Sequence, residues 1–179
     1  MIPDSIIFDL DGTLWDVSQK EYEIFNHMMS ERFPQFNRHV SLDEIRHVSG
    51  MTLDDISVYI LPDADVETRK ALSDAIAEYE EKYLLSGGSQ GSVFPNTIKT
   101  LDILTEKYPL FIVSNCGEGY IEAFMKTQDT EKYFKDWQPW GRTKRPKGEN
   151  IKTLMKRNHL NSSVYVGDTT TDEQAARMA

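Results

Sequence analysis

The chain has 179 residues, 39% hydrophobic and 11% aromatic, enough to bury the core of one domain or of a domain carrying an insertion. Its 29 acidic against 20 basic residues leave a net charge of -9, which argues against nucleic acid or an anionic membrane as partner. A lone cysteine, Cys116, allows no internal disulfide; no apolar stretch approaches membrane-spanning length and no signal-type core opens the chain, so a cytoplasmic protein is expected. The composition leaves the oligomeric state open, and His27, His39, His47 and His159 show no zinc-ligand spacing.

Residues 5–8 form the first short apolar run, which predicts a buried strand ending at Asp9-Leu10-Asp11-Gly12-Thr13. Residues 15–90 then read as helices without a strand. Tyr22, Phe25 and Met29 mark one face, Ser41-Leu42-Asp43-Glu44 has the form of a capping box, Thr52 with Asp55 starts a helix stopped near Pro62, and Asp65 caps a longer one carrying Leu72, Ile76, Tyr79 and Tyr83. Ser86-Gly87-Gly88-Ser89-Gln90-Gly91 has the composition of a flexible linker, the wiring expected of a mobile lid.

Ile98, Leu101 and Leu104 share a helix face before a second strand over 110–113, which ends at Ser114-Asn115. Helices over 119–127 and 149–159 follow, then a third strand over 164–166 ending at Gly167-Asp168. Strands alternating with helices predict an α/β fold: a Rossmann-like parallel-sheet core, residues 1–14 and 91–179, with an inserted all-helical cap over 15–90. Ligands of such sheets bind beyond the carboxyl ends of the strands, where these polar residues collect.

Phosphoryl transfer needs a nucleophile, a cation, donors to the phosphoryl oxygens and a proton for the leaving group. Asp9 is the candidate nucleophile, able to form an aspartyl-phosphate. Asp11, on the same loop, is the candidate acid and base. Asp-Gly is also a common turn dipeptide, so this loop alone is equally well read as a plain turn. Asp168 and Asp172 suit a hard cation such as Mg²⁺, with Asp172 equally natural as a helix cap. Ser114 and Asn115 can donate to phosphate. Among Arg142, Lys144, Arg145 and Lys147, Lys147 is placed best to fix the nucleophile and phosphate, with Lys144 as its rival.

Together, Asp9 and Asp11, Ser114, Lys147, Asp168 and Asp172 match in order the motifs of the haloacid dehalogenase superfamily, which the chain resembles over nearly its whole length. The resemblance, closest to the phosphoglycolate phosphatase and β-phosphoglucomutase types, implies a C1-type helical cap and hydrolysis of a small phosphorylated metabolite. It also implies Mg²⁺ held by Asp9, the main-chain carbonyl of Asp11, Asp168 and Asp172. Cores of this family usually continue beyond the last motif with at least one more strand than the residues up to Ala179 supply, and Arg-Pro-Lys-Gly stands where Lys-Pro-x-Pro is commoner. Asp11 argues against dehalogenation. A sugar-phosphate mutase would have a cap histidine about where Glu21 stands, with His27 further on. A non-catalytic module retaining the fold is the remaining alternative. Arg46, His47 and Ser49-Gly50-Met51-Thr52 occupy the region where related caps present specificity residues.

Overall fold

A computed structural model describes residues 2–85 and 91–179. In chain order the elements are β1 (Ser5–Phe8), β2 (Trp15–Asp16), α1 (Ser18–Arg32), α2 (Leu42–Val48), α3 (Leu53–Ile60), α4 (Val66–Tyr79) and β3 (Ser92–Val93). They continue with α5 (Thr97–Thr105), β4 (Leu110–Ser114), α6 (Tyr120–Thr127), β5 (Phe134–Pro139), α7 (Trp140–Thr143), α8 (Lys147–Arg157), β6 (Ser163–Val166) and α9 (Thr170–Met178). Two units pack within themselves: Met1–Asp16 with Ser92–Ala179, and Val17–Gly91.

The first unit is built on a parallel sheet of order β5-β4-β1-β6. Strands β1 and β4 lie inside it and are buried at every position, which is why Ile6–Phe8 and Leu110–Val113 read as unbroken apolar runs. Under the sheet, Ile7, Phe111 and Val113 pack against Ile151 and Leu154 of α8 and Ala175 of α9. Each of the larger side chains contributes roughly 1.5–3 kcal/mol on burial. Phe8 pairs with Ile112 on one side and Val166 on the other, so the ends of β4, β1 and β6 stand side by side.

Several expectations need correction. The sheet has a fourth strand, β5, which the sequence pattern conceals because Lys135, Asp136 and Gln138 interrupt its apolar run. It is an edge strand, and Asp136 accepts from Arg157 and Asn158. The other edge, β6, was expected to be buried, yet Val164 and Val166 are 46% and 37% exposed. Trp15 and Asp16 form β2 and pair with Val93 and Ser92 in a two-stranded ribbon within the first unit.

In the second unit the described residues contain helices and no strand. Ser41, Thr52 and Asp65 accept from Glu44 N, Asp55 N and Thr68 N at the starts of α2, α3 and α4. The expected hinge at residues 86–90 lies outside the described residues, as does the side chain of Tyr83. No helix among the described residues is long and apolar enough to cross a membrane.

Glu44 closes the capping box of α2. Its carboxylate accepts from Ser41 N and Oγ at 2.9 and 2.8 Å and from the Arg38 guanidinium. The Ser41 amide first, then Arg38 and the Ser41 hydroxyl, lower its pKa from 4.5 to about 2. A depressed carboxylate stabilises the fold above its unfolded pKa and loses that contribution as pH falls through the folded value. Glu44→Ala should therefore cost about 1 kcal/mol near neutral pH, a value kept small because the pair is partly solvated. The gap from wild type should narrow as pH falls from 4.5 toward about 2. Urea unfolding of both proteins at pH 7 and pH 3 checks this; a gap that does not change with pH would remove the electrostatic account.

Candidate active site

Asp9 follows β1 and is fully buried, with its backbone N–H donating to Val166 O at 2.8 Å. That bond belongs to the sheet, so the carboxylate projects just past the central strand. Neither of its oxygens has a hydrogen bond of good geometry among the described residues. Lys147 Nζ lies 3.1 Å from Asp9 Oδ2 and 2.7 Å from Asp172 Oδ1. Burial pushes the Asp9 carboxyl up to about 7; Lys147 opposes this, while Asp172 and Asp11 add to it.

Lys147 opens α8, whereas the sequence placed the start of that helix at Glu149. It is 4% exposed. Burial pulls its pKa down, but Asp9 and Asp172 outweigh burial and hold it raised. Lys144, its rival, sits at φ 57° after α7 with Nζ 3.8 Å above the Trp140 ring. The fold thus brings Lys147 to Asp9 and occupies Lys144 elsewhere.

Asp172 serves the start of α9. Thr169 caps the helix, and Asp172 Oδ2 accepts from Thr169 N at 3.0 Å and Oγ1 at 2.6 Å. Its other oxygen receives Lys147 Nζ. Burial raises the Asp172 pKa, but Lys147 and then Thr169 prevail and lower it. Asp168 instead accepts from Thr13 Oγ1 at 2.8 Å. Gly12, at φ +77°, faces this carboxylate: a Cβ there would lie 2.5 Å from Asp168 Oδ2. Gly167 makes the same room for Asp172, at 2.5 Å from its Cγ.

Asp9, Asp168 and Asp172 each offer an oxygen within 4.8 Å of the others. The Asp11 carboxylate is outside that group; Oδ1 accepts from Trp15 Nε1 at 2.8 Å and Tyr120 OH at 3.1 Å. Its pKa is raised by burial against these two bonds and Lys147, with Asp168 adding to the rise. Ser114 ends β4, and both it and Asn115 are buried at 2% and 7% exposure.

Trp15, Tyr120 and Tyr165 were not anticipated. Tyr165 OH donates to Val113 O at 2.8 Å and lies 3.4 Å from Asp172 Oδ1. Only the Thr169–Asp172 capping pattern carried a local signal, since Ser or Thr three residues before an acid marks a helix start.

The arrangement suits a hard cation. Asp9 is a buried carboxylate whose oxygens accept no hydrogen bond of good geometry among the described residues, and Asp168 is an accessible second one. Ions such as Mg²⁺ take one or two carboxylates and keep waters and substrate oxygens for the remaining positions. Asp172, the third carboxylate of the cluster, has its two oxygens engaged by Lys147 and Thr169.

The family model described as haloacid dehalogenase-like hydrolase matches residues 6–179. No curated protein matches the sequence. A haloacid dehalogenase-like family hydrolase from Streptococcus pneumoniae is similar at TM-score 0.82 and 21% identity, over 98% of this chain and 80% of its own. A predicted phosphatase from Clostridium acetobutylicum gives 0.82 at 18% identity, over 99% and 82%. A predicted phosphoglycolate phosphatase from Haemophilus somnus gives 0.80 at 20% identity, over 98% and 81%. At these identities the structural likeness speaks for the fold, a Rossmann-like α/β core. With 174 of its residues, 6 through 179, matched by the family model, the chain belongs to the haloacid dehalogenase-like hydrolases.

Proposed function

We propose that this protein is a Mg²⁺-dependent phosphatase that hydrolyses a small phosphorylated metabolite through an aspartyl-phosphate on Asp9. The observation that carries this reading is the buried Asp9 carboxylate, held at a strand end 3.1 Å from the Lys147 ammonium and with Asp11 two residues on. The phosphatase names of similar structures support the substrate class.

In the first step an Asp9 oxygen attacks phosphorus, and the bond from phosphorus to the leaving oxygen breaks while Asp11 gives that oxygen a proton. In the second, Asp11 takes a proton from water as the water oxygen attacks the same phosphorus. Inorganic phosphate leaves and Asp9 is regenerated. Ser114 and Asn115 donate to the phosphoryl oxygens, and Lys147 holds its charge beside Asp9. Asp9, Asp168 and the main-chain carbonyl of Asp11 would hold Mg²⁺, with Asp172 behind them. Bound there, the cation would neutralise phosphoryl charge and favour ionised Asp9.

We read the unit Val17–Gly91 as the family's C1-type cap. The mutase alternative gains no observation: the His27 ring contacts Tyr79 and lies 3.5 Å from Glu31 within that unit.

Turnover of p-nitrophenyl phosphate and a panel of phosphorylated metabolites, with and without Mg²⁺, tests the reading. Metal-dependent phosphate release is expected. Absence of release from every ester in millimolar Mg²⁺ would sink it.

A further inference from the structure

The Asp11 carboxylate is held by two side chains that no motif of the sequence singles out. Trp15 reaches it through the turn that follows Asp9. Leu10 O accepts from the backbone N–H groups of Thr13, Leu14 and Trp15 at 3.2, 2.8 and 3.4 Å, and Gly12 N donates to Trp15 O at 3.1 Å. This closed turn returns the indole to the residue four positions earlier. Tyr120 arrives from the other direction, as the first residue of α6, after Gly119 at φ +85° has redirected the chain. The two rings meet edge to face at 5.9 Å, and Phe124 closes on the indole at 5.0 Å. Trp15 and Tyr120 are 1% and 2% exposed, so neither donor is free to wander.

Both donors converge on a single oxygen, Asp11 Oδ1. Two bonds to one oxygen fix rotation about Cβ–Cγ and fill that oxygen's lone pairs. The other oxygen, Oδ2, is left to carry a proton, and it is presented in one orientation. Proton transfer demands such placement, because a donor displaced by about 1 Å can lose on the order of 10²-fold in rate.

We propose that Tyr120 and Trp15 are positioning residues for Asp11, holding its carboxyl group so that Oδ2 delivers the proton to the leaving oxygen. The inference rests on the phosphatase reading above. It adds a device to that reading: an aromatic pair from two distant parts of the chain aims the acid.

Leaving-group dependence separates aiming from mere packing. kcat/KM reports the first phosphoryl transfer, so it is measured in Mg²⁺ with p-nitrophenyl phosphate, which needs little protonation, and with glycerol phosphate, whose alkoxide needs it fully. Tyr120→Phe deletes one hydroxyl and keeps the ring. It should lower kcat/KM on glycerol phosphate by on the order of tenfold, the worth of a hydrogen bond to a charged group. On the aryl ester it should lose less than about threefold by the same reasoning. Trp15→Phe, which keeps an aromatic ring and removes the N–H, should show the same split. In an Asp11→Asn background Tyr120→Phe should add nothing, since residues acting through one group are non-additive.

Equal losses on both esters, or full additivity with Asp11→Asn, would overturn the positioning role. If Asp11→Asn shows the split and neither aromatic variant does, the aiming device alone fails. If Asp11→Asn loses equally on both esters, the acid assignment fails and the device with it.

Discussion

Asp9→Asn should abolish phosphate release and phosphoenzyme formation while making the metal-free protein more stable. An amide is a poor nucleophile and a weaker ligand, so a loss of at least about 10³-fold is expected when the covalent route closes. The stability gain follows from burial. The Asp9 carboxyl is pushed from its ordinary 3.8 to about 7. Between those values the native state holds a proton that the unfolded chain has released, so stability falls as pH rises through the window. Above about 7 the folded protein carries the cost of a buried ionised group that the Lys147 ammonium offsets only in part. Asn is nearly isosteric and uncharged. With a chelator present, the variant should exceed wild type by about 1–4 kcal/mol at pH 8, since each tenfold rise in proton affinity is worth at most about 1.4 kcal/mol. The advantage should vanish near pH 4. Added Mg²⁺ should stabilise wild type by mass action and leave the variant nearly unmoved. Thermal unfolding across pH, with and without Mg²⁺, reads all of this. An Asn variant no more stable than wild type at pH 8 would show that Asp9 carries no such cost.

Much of the fold was legible because the interior strands are buried on both faces. Ile6-Ile7-Phe8 and residues 110–113 have no polar position to disguise them, and the acidic and polar residues that end them announce where the sheet stops. Helix starts at Ser41, Thr52 and Asp65 were equally plain, because capping is a contact over three residues. Strand β5 escaped notice since an edge strand tolerates Lys135 and Asp136. The contacts around Asp11 escaped for another reason: Tyr120 lies 109 residues away, and no local pattern reports which aromatic ring will point at which carboxylate. The choice between Lys144 and Lys147 likewise needed the fold. They stand three positions apart, but the left-handed turn at Lys144 sends one ammonium to Trp140 and leaves the other to open α8. Trp15, placed at the start of the helical segment by the run of helical patterns, serves the core because its indole closes the turn begun at Asp9.

Lys147→Met should be the most destabilising substitution at the site, whereas Lys144→Met should be mild. Lys147 Nζ stands between two buried carboxylates, 3.1 Å from Asp9 and 2.7 Å from Asp172. Methionine approximates its length and apolar stem, so packing is largely kept and the loss isolates the charge. Removing one partner from a buried ionic cluster typically costs about 3–5 kcal/mol, because the groups left behind keep their desolvation penalty. Here two carboxylates would face one another without the cation. The protein can relieve this by protonating Asp9, and the variant should then be least penalised at acid pH and most penalised above about 7. Lys144→Met removes only an ammonium stacked on Trp140, a contact worth about 0.5–1 kcal/mol at an accessible position. Pairing Lys147→Met with Asp9→Asn should recover much of the lost stability, since the second change discharges a carboxylate that the first exposes to repulsion. It should not recover activity. Urea unfolding of the four proteins at pH 8 decides the matter. Similar losses for the two lysine variants, or no recovery in the double variant, would mean that Lys147 does not hold the acidic cluster together.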